Sequence, residues 1–266
     1  MTYETKEIDI NGIKLDILSG VNDYNYYSQR TVFEEKSSLL YSLIKEEKFV
    51  NFIDIGANYG FISLLIKLQI PDINCITIEA DPRLTNIIKN NFNKNNANLP
   101  IIINSVASDE NTSSHIFSIN PNSTLDNRVN MDNWKNLNIQ SITIDKIIVN
   151  YKLTGKSFFK IDTQGYEMHI LKGMEHFLQN NNDWCIKMEF APKWLESQNS
   201  NPLELLKYLA LHYEFAEFPA RVQFNTPSID ELFRYKINES ELSDFLNYVI
   251  SLNRDGLGWV DLIVRR

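Results

Sequence analysis

The 266-residue chain carries a formal net charge of −8, with 43% hydrophobic and 12% aromatic residues, the profile of a folded globular protein rather than a disordered one. Lysine and arginine are dispersed without a basic block, so no cationic face for nucleic acid is expected. The two cysteines, Cys75 and Cys185, lie in separate apolar runs and form no C-x-x-C pair, which argues against a zinc site or a disulfide framework.

The first residues are polar and acidic, unlike a signal peptide. Residues Glu7 to Ile17 alternate in period two around Asn11-Gly12, which predicts a hairpin with a type I′ turn. A segment with Tyr24, Tyr26 and Tyr27 follows, then a helix with Phe33, Leu39, Leu40, Leu43 and Ile44 at helical spacing. From Val50 strands and helices alternate. The spacing predicts a strand at Val50–Ile55, a helix at Gly60–Leu68, a strand at Ile73–Glu79, a helix at Arg83–Asn93 and a strand at Pro100–Val106. His115–Ile119 and Ser141–Ile144 read as an inserted pair of strands. Ser157–Asp162 and Trp184–Phe190 follow as strands around a helix at Tyr166–Leu178. The tail reads as a helix (Pro202–Leu211), a strand (Tyr213–Phe218), a helix (Glu239–Leu252) and a last strand (Trp259–Arg265). Such alternation predicts an α/β fold with a mostly parallel sheet. No linker interrupts it, so residues 1–49 are expected to be a hairpin-and-helix extension of one domain over 50–266. The apolar stretch Phe61–Leu68 is interrupted by Lys67 and too short to span a bilayer; a cytoplasmic protein without membrane contact is expected. The asparagine-rich run Asn90–Asn98 is read as compositional bias without a function.

The segment Phe52-Ile53-Asp54-Ile55-Gly56-Ala57-Asn58-Tyr59-Gly60 is a strand entering a glycine turn that opens a helix. Gly56 is expected to turn the chain and Gly60 to let the helix start approach a ligand. A dinucleotide loop would carry glycine two residues after Gly56; Asn58 stands there, and Asp54 precedes the turn. A carboxylate near the turn suits a sulfonium and an ammonium and repels a pyrophosphate, which favours S-adenosylmethionine over NAD. Glu79, roughly twenty residues past Gly56, is placed to accept the hydroxyls of a ribose. It or Asp81 could instead cap the helix after Pro82. Backbone groups at Val106 and Ala107 either border an adenine or form an ordinary loop.

Asp162, Glu167 and Glu189 gather acids at two strand ends and one helix start. Glu167 fits equally a stabiliser of that helix start. His169 falls opposite the apolar stripe of its helix and reads as a surface residue, and His115 has no context that marks it out.

The glycine segment, Ile78-Glu79-Ala80-Asp81-Pro82, Ser141-Ile142-Thr143-Ile144-Asp145, Lys160-Ile161-Asp162-Thr163-Gln164-Gly165-Tyr166-Glu167 and Leu171-Lys172-Gly173 together resemble the FkbM family of methyltransferases. The resemblance covers roughly residues 50 to 190 and includes the final Gly258-Trp259-Val260-Asp261-Leu262. It implies a Rossmann-like class I methyltransferase sheet with an antiparallel C-terminal strand. It also implies S-adenosylmethionine as donor and O-methylation of a small-molecule hydroxyl, a sugar being the favoured acceptor. Asp54, Gly56, Asn58, Gly60, Glu79 and Ala107 are the expected donor residues, Asp162, Glu167 and Glu189 the expected catalytic ones, and no metal is expected. The family turn is commonly Asp-x-Glu-Gly, and here Gln164 replaces that glutamate; Tyr166 stands where histidine is frequent. The alternatives to this reading are an NAD-dependent oxidoreductase and a donor-binding module without catalysis.

Overall fold

Short apolar runs bounded by Asn, Ser or Gly are buried on both faces and pair in parallel, as strands covered by helices on each side must. The computed structural model describes residues 2–10, 12–23, 31–120, 122–125, 127–131, 134–218, 228–252 and 258–266, with backbone alone for 31–38. Tyr24, Tyr26, Tyr27, the turn residue Asn11 and the side chain of Phe33 lie outside that set. In chain order, β1 (Tyr3–Ile10) and β2 (Ile13–Gly20) form the hairpin and α1 (Thr31–Glu46) follows. Then come β3 (Asn51–Ile55), α2 (Phe61–Gln69), β4 (Asn74–Glu79), α3 (Pro82–Lys94), β5 (Ile101–Asn104) and β6 (Val106–Ala107). An insertion holds β7 (His115–Ile119), β8 (Arg128–Val129) and β9 (Lys135–Ile139), before β10 (Ser141–Ile142) and α4 (Ile144–Asn150). The rest is β11 (Ser157–Ile161), α5 (Glu167–Lys172), α6 (Glu175–Asn180), β12 (Trp184–Phe190), α7 (Pro192–Ser197), α8 (Pro202–His212), β13 (Glu214–Phe218), α9 (Ile229–Leu232), α10 (Leu242–Ser251) and β14 (Val260–Arg265).

Seven strands form the central sheet in the order β13-β14-β12-β11-β3-β4-β5. β14 runs antiparallel to both neighbours and the other pairings are parallel. This is the class I methyltransferase sheet, and it places the ends of β3, β4, β11 and β12 along one rim, where open α/β sheets bind ligands.

Three predicted elements change. The predicted third strand is interrupted at Ser105, after which β6 pairs with β10 rather than with the main sheet. His115–Ile119 does not pair with Ser141–Ile144; it pairs antiparallel with β8 and β9, where Leu137 and Ile139 are half-buried and alternate with exposed Asn136 and Asn138. The single helix predicted at Tyr166–Leu178 is broken into α5 and α6 at Gly173, which packs against the Ser108 carbonyl.

Because side chains alternate along a strand, Phe52, Phe158, Cys185 and Ile263 share one face with Leu43 and Ile66, in a buried cluster under α1 and α2. Two residues further toward the rim, on that same face, stand Asp54, Lys160 and Lys187. The opposite face is apolar to the rim, where Ile55, Ile161 and Met188 pack in the main core with Leu171 and Leu206. Burying one such side chain contributes roughly 1.5–3 kcal/mol, so the charged half-face is a departure that needs its own compensation.

The hairpin rests on α2 and α3 through Ile8, Ile10, Leu15 and Ile17 against Leu64, Leu84 and Ile88. Asn91 and Asn95 fasten it. Asn91 accepts from the Leu18 N–H at 2.7 Å and donates to the Leu18 carbonyl at 3.2 Å. Asn95 accepts from the Asp16 N–H at 2.9 Å and donates to its carbonyl at 2.8 Å. The asparagine-rich run thus holds β2 as a neighbouring strand would.

Candidate active site

The buried strand β3 ends in a turn with three left-handed residues, Gly56 at φ 74°, Asn58 at 52° and Gly60 at 71°. Asparagine tolerates that region better than most side chains. A Cβ on Gly56 would lie 2.0 Å from the Asp162 carbonyl oxygen, so glycine there lets the β3 and β11 loops touch. A Cβ on Gly60 would lie 2.9 Å from Ile88 of α3. Gly60 therefore serves the turn and the packing of α2 on α3.

Glu79 ends β4, buried, with one N–H on each carboxylate oxygen: Asn58 at 2.7 Å and Asp81 at 2.8 Å. Each oxygen keeps capacity for a further donor. Burial pushes the Glu79 carboxyl up to about 7. Asp81 takes the capping role: it is the N-cap of α3 and accepts from the Arg83 N–H at 2.9 Å. It also accepts from Asn127 at 2.9 Å.

Asp54 and Lys160 are directly opposite in the β3–β11 register. Asp54 accepts from Ser63 at 2.6 Å and pairs with the Lys160 ammonium at 3.1 Å. Lys160 also reaches Asp162 at 3.5 Å and the Gly56 carbonyl at 3.3 Å. Burial works against the Lys160 charge, yet Asp54 and Asp162 hold its ammonium above the ordinary range. Lys187, the next residue across the sheet, pairs with Asp261 of β14 at 2.7 Å. Neither lysine was marked as a site residue from sequence. The signal was a lysine inside each of the apolar runs Phe158–Ile161 and Cys185–Met188, since an ammonium is expensive to bury without partners.

Above these lysines, at the rim, stand Asp162 and Glu189. The Gln164 amide donates to both, to Asp162 at 3.3 Å and to Glu189 at 3.4 Å. Gln164 is itself left-handed at φ 58°. Its Oε1 atom is buried without a hydrogen-bond partner. Burial raises the Glu189 carboxyl well above its ordinary range, and the charges of Asp162, Glu167 and Asp261 add to this while Lys187 opposes it. Asp162 and Glu189 are thus brought together. Glu167 is 1% exposed and bonds its own loop, and its charge reaches Glu189. Its Oε1 accepts from the Thr163 N–H at 3.1 Å, the Thr163 hydroxyl at 3.1 Å and the Gly165 N–H at 3.2 Å. Burial pushes its carboxyl up to about 7.

Ala107 is buried in β6, facing Ile142. The Val106 N–H bonds the Gln140 carbonyl and the Ser108 N–H bonds the Ile142 carbonyl. Beside this loop the two histidines converge on Tyr166. The tyrosine hydroxyl meets His115 at 3.2 Å and Ser108 at 3.3 Å. Its ring stacks on His169 with centroids 4.2 Å apart, and His169 pairs with Asp109 at 3.0 Å. Burial raises the Tyr166 hydroxyl and lowers the His115 imidazole. The single-helix reading put His169 on a free surface; pairing of distant segments gives it these partners. Among the described residues no group of three His, Cys, Asp or Glu is placed to hold a metal ion. No described helix is long and apolar enough to cross a membrane.

Comparison with solved structures finds the plantazolicin methyltransferase BpumL in complex with SAH, at 14% identity and a TM-score of 0.46, covering 92% of this chain and 89% of that one. Precorrin-6y C5,15-methyltransferase from Geobacter metallireducens GS-15 aligns at 12% identity and a TM-score of 0.45, covering 88% of each chain. No curated protein matches the chain. The family model described as the methyltransferase FkbM domain matches residues 54–218, from Asp54 in β3 to the end of β13. That span holds the glycine turn, Glu79 and the Asp162–Glu189 rim, and the chain belongs to the FkbM methyltransferase family.

Proposed function

We propose that this protein transfers the methyl group of S-adenosylmethionine to a hydroxyl of a small, hydroxyl-rich acceptor, with a sugar as the acceptor class. The observation that carries this reading is the rim itself, where Asp162, Gln164 and Glu189 form one hydrogen-bonded group beside the glycine turn. The donor's chemistry, when it is bound, is that of a methyl group made electrophilic by a sulfonium. The residues present fit such a cation. Lys187 is matched by Asp261, and Lys160 is shared between Asp54 and Asp162, so that Glu79 and Glu189 add negative charge at the strand ends beyond these pairs.

Glu79 would hold the ribose hydroxyls, with Asn58 and Asp81 fixing its two oxygens. The Gly56–Asn58 turn would face the rest of the donor, and Ala107 would border its adenine. Asp54 lies below, acting through Lys160 rather than by contact. On the acceptor side Asp162 would take the hydroxyl proton, an assistance worth roughly 10²–10⁴-fold. Glu189 and the unpartnered Gln164 oxygen would bind neighbouring hydroxyls, and Glu167 would keep the Thr163–Gly165 loop in place. The chain's larger task is to hold acceptor oxygen, methyl carbon and sulfur in line. No divalent ion is required in this account, because Lys160 and the Gln164 amide already compensate Asp162. Residues 1–49 and 50–266 act as one domain. The test is methyl transfer from labelled donor to a panel of monosaccharides and glycosides in excess chelator. Label on a sugar hydroxyl supports the reading; label only on nitrogen or carbon acceptors, or activity that needs added magnesium, refutes that part of it.

A further inference from the structure

The end of the N-terminal hairpin carries a buried acid that reaches the glycine turn and the insertion together. Asp23, 1% exposed, follows β2 and accepts four hydrogen bonds. Its Oδ2 takes the Tyr59 hydroxyl at 2.6 Å, the Thr124 hydroxyl at 2.9 Å and the Thr124 N–H at 3.1 Å. Its Oδ1 takes the Ser123 hydroxyl at 2.7 Å. Asn22 adds a bond to the Asn122 carbonyl at 3.1 Å. Thr124 passes the constraint on. Its carbonyl and hydroxyl accept from the Asn58 side-chain amide at 2.9 and 3.3 Å, and the Asn58 N–H is one of the two that fix Glu79. Three residues beyond Thr124, Asn127 bonds Asp81 at the end of the same strand.

A carboxylate with four donors is a costly thing to assemble from three separate segments for packing alone, since each partner left unmatched in the interior is penalised. Tyr59 ties the group to the turn from the other side: its hydroxyl also accepts from the Gly20 N–H at 2.9 Å. Asn58 is held in the left-handed region by bonds at its backbone and its side chain alike.

Resting on the donor reading above, we infer that the hairpin completes the donor pocket and that Asp23 is its positioning residue. Asp23 holds Ser123 and Thr124 against the glycine turn, and through Thr124 and Asn58 it sets where Glu79 meets the ribose. The family-matched span starts at Asp54, so this part of the donor site comes from chain outside it.

The experiment titrates S-adenosylmethionine by calorimetry at low temperature into the full chain and into Asp23→Ala, Asp23→Asn and Thr124→Val. Amide exchange is followed at residues 57–60 and 122–125 in the same samples. Asp23→Ala is expected to weaken donor binding at least tenfold and Thr124→Val about threefold or more, with faster exchange in both segments and an unchanged fold by circular dichroism. Asp23→Asn, which keeps the shape and loses acceptors, is expected to fall between wild type and Asp23→Ala. If Asp23→Ala does not fold, Thr124→Val carries the decision alone. Lower melting temperature with wild-type donor affinity would overturn the inference and leave a structural role. If the wild type itself does not bind S-adenosylmethionine, the donor reading fails; exchange at 57–60 unchanged by Asp23→Ala or Thr124→Val would then separately overturn the coupling.

Discussion

Asp54 and Lys160 sit opposite each other on adjacent parallel strands, and their side chains meet at 3.1 Å with almost no solvent access. Removing one partner of such a pair leaves a buried charge, at a cost of about 3–5 kcal/mol. Lys160→Met should therefore lower unfolding stability by about that amount in urea titrations. Asp54→Asn combined with Lys160→Met should recover most of the loss. A Lys160→Met variant as stable as the wild type would mean that the pair is not held as described.

Glu167 clasps its own loop through three bonds to Oε1. An amide oxygen can make the same three bonds, so Glu167→Gln should keep methyl transfer within a few fold. Glu167→Ala should lose about 1–3 kcal/mol of stability, the cost of unpaired loop donors, and should slow turnover through loop disorder. If Glu167→Gln abolishes turnover while donor affinity is retained, Glu167 is the proton acceptor instead.

The raised carboxyls predict opposite pH responses for stability and for donor binding. Between the ordinary 4.5 and about 7, folded Glu79 and Glu167 retain protons that the unfolded chain has released. Their contribution to stability is present at the acid end and is lost as pH rises through that window. Ribose hydroxyls donate to the ionised form of Glu79, so donor affinity should rise about tenfold from pH 6 to pH 8. Proton release on binding should be seen at pH 6 by calorimetry in buffers of different ionisation enthalpy. Donor binding that is flat across this range would remove Glu79 from the ribose.

Gln164 joins Asp162 to Glu189 by donating to both. Gln164→Glu would put a third carboxylate where that donor now stands. The variant should lose metal-free turnover by tenfold or more and gain measurable magnesium or manganese binding, which suits clustered oxygen ligands. Equal activity of wild type and Gln164→Glu in chelator would show that the bridging amide does no work.

The strand, the glycine turn and the acid at the end of the next strand were legible because they occupy one continuous stretch of chain. The alternation of strands and helices made the mostly parallel sheet legible, and the resemblance implied its antiparallel C-terminal strand. What stayed hidden depends on residues distant in sequence. Lys160 finds Asp54 only through the register of β3 and β11, and Asp23 finds Thr124 across about a hundred residues. Asn91 and Asn95 looked like compositional bias because a side-chain amide acting as a strand edge has no local signature. The pairing of β7 with β9 joins segments about twenty residues apart and β9 offers only two apolar residues, Leu137 and Ile139, while the break of the helix Tyr166–Leu178 at Gly173 depends on a close approach to the Ser108 carbonyl that only the tertiary structure sets.

On the proposed reading the Gly56–Asn58 turn and Glu79 form the site for S-adenosylmethionine. Calorimetric titration of wild type and Glu79→Ala with S-adenosylmethionine and with NAD tests it most directly. Glu79 would offer charge-assisted bonds worth about 1.5–3 kcal/mol each, so Glu79→Ala should weaken S-adenosylmethionine binding at least tenfold with the fold intact, and NAD should bind more weakly than S-adenosylmethionine to the wild type. Unchanged affinity in Glu79→Ala, or tighter binding of NAD, would contradict the account.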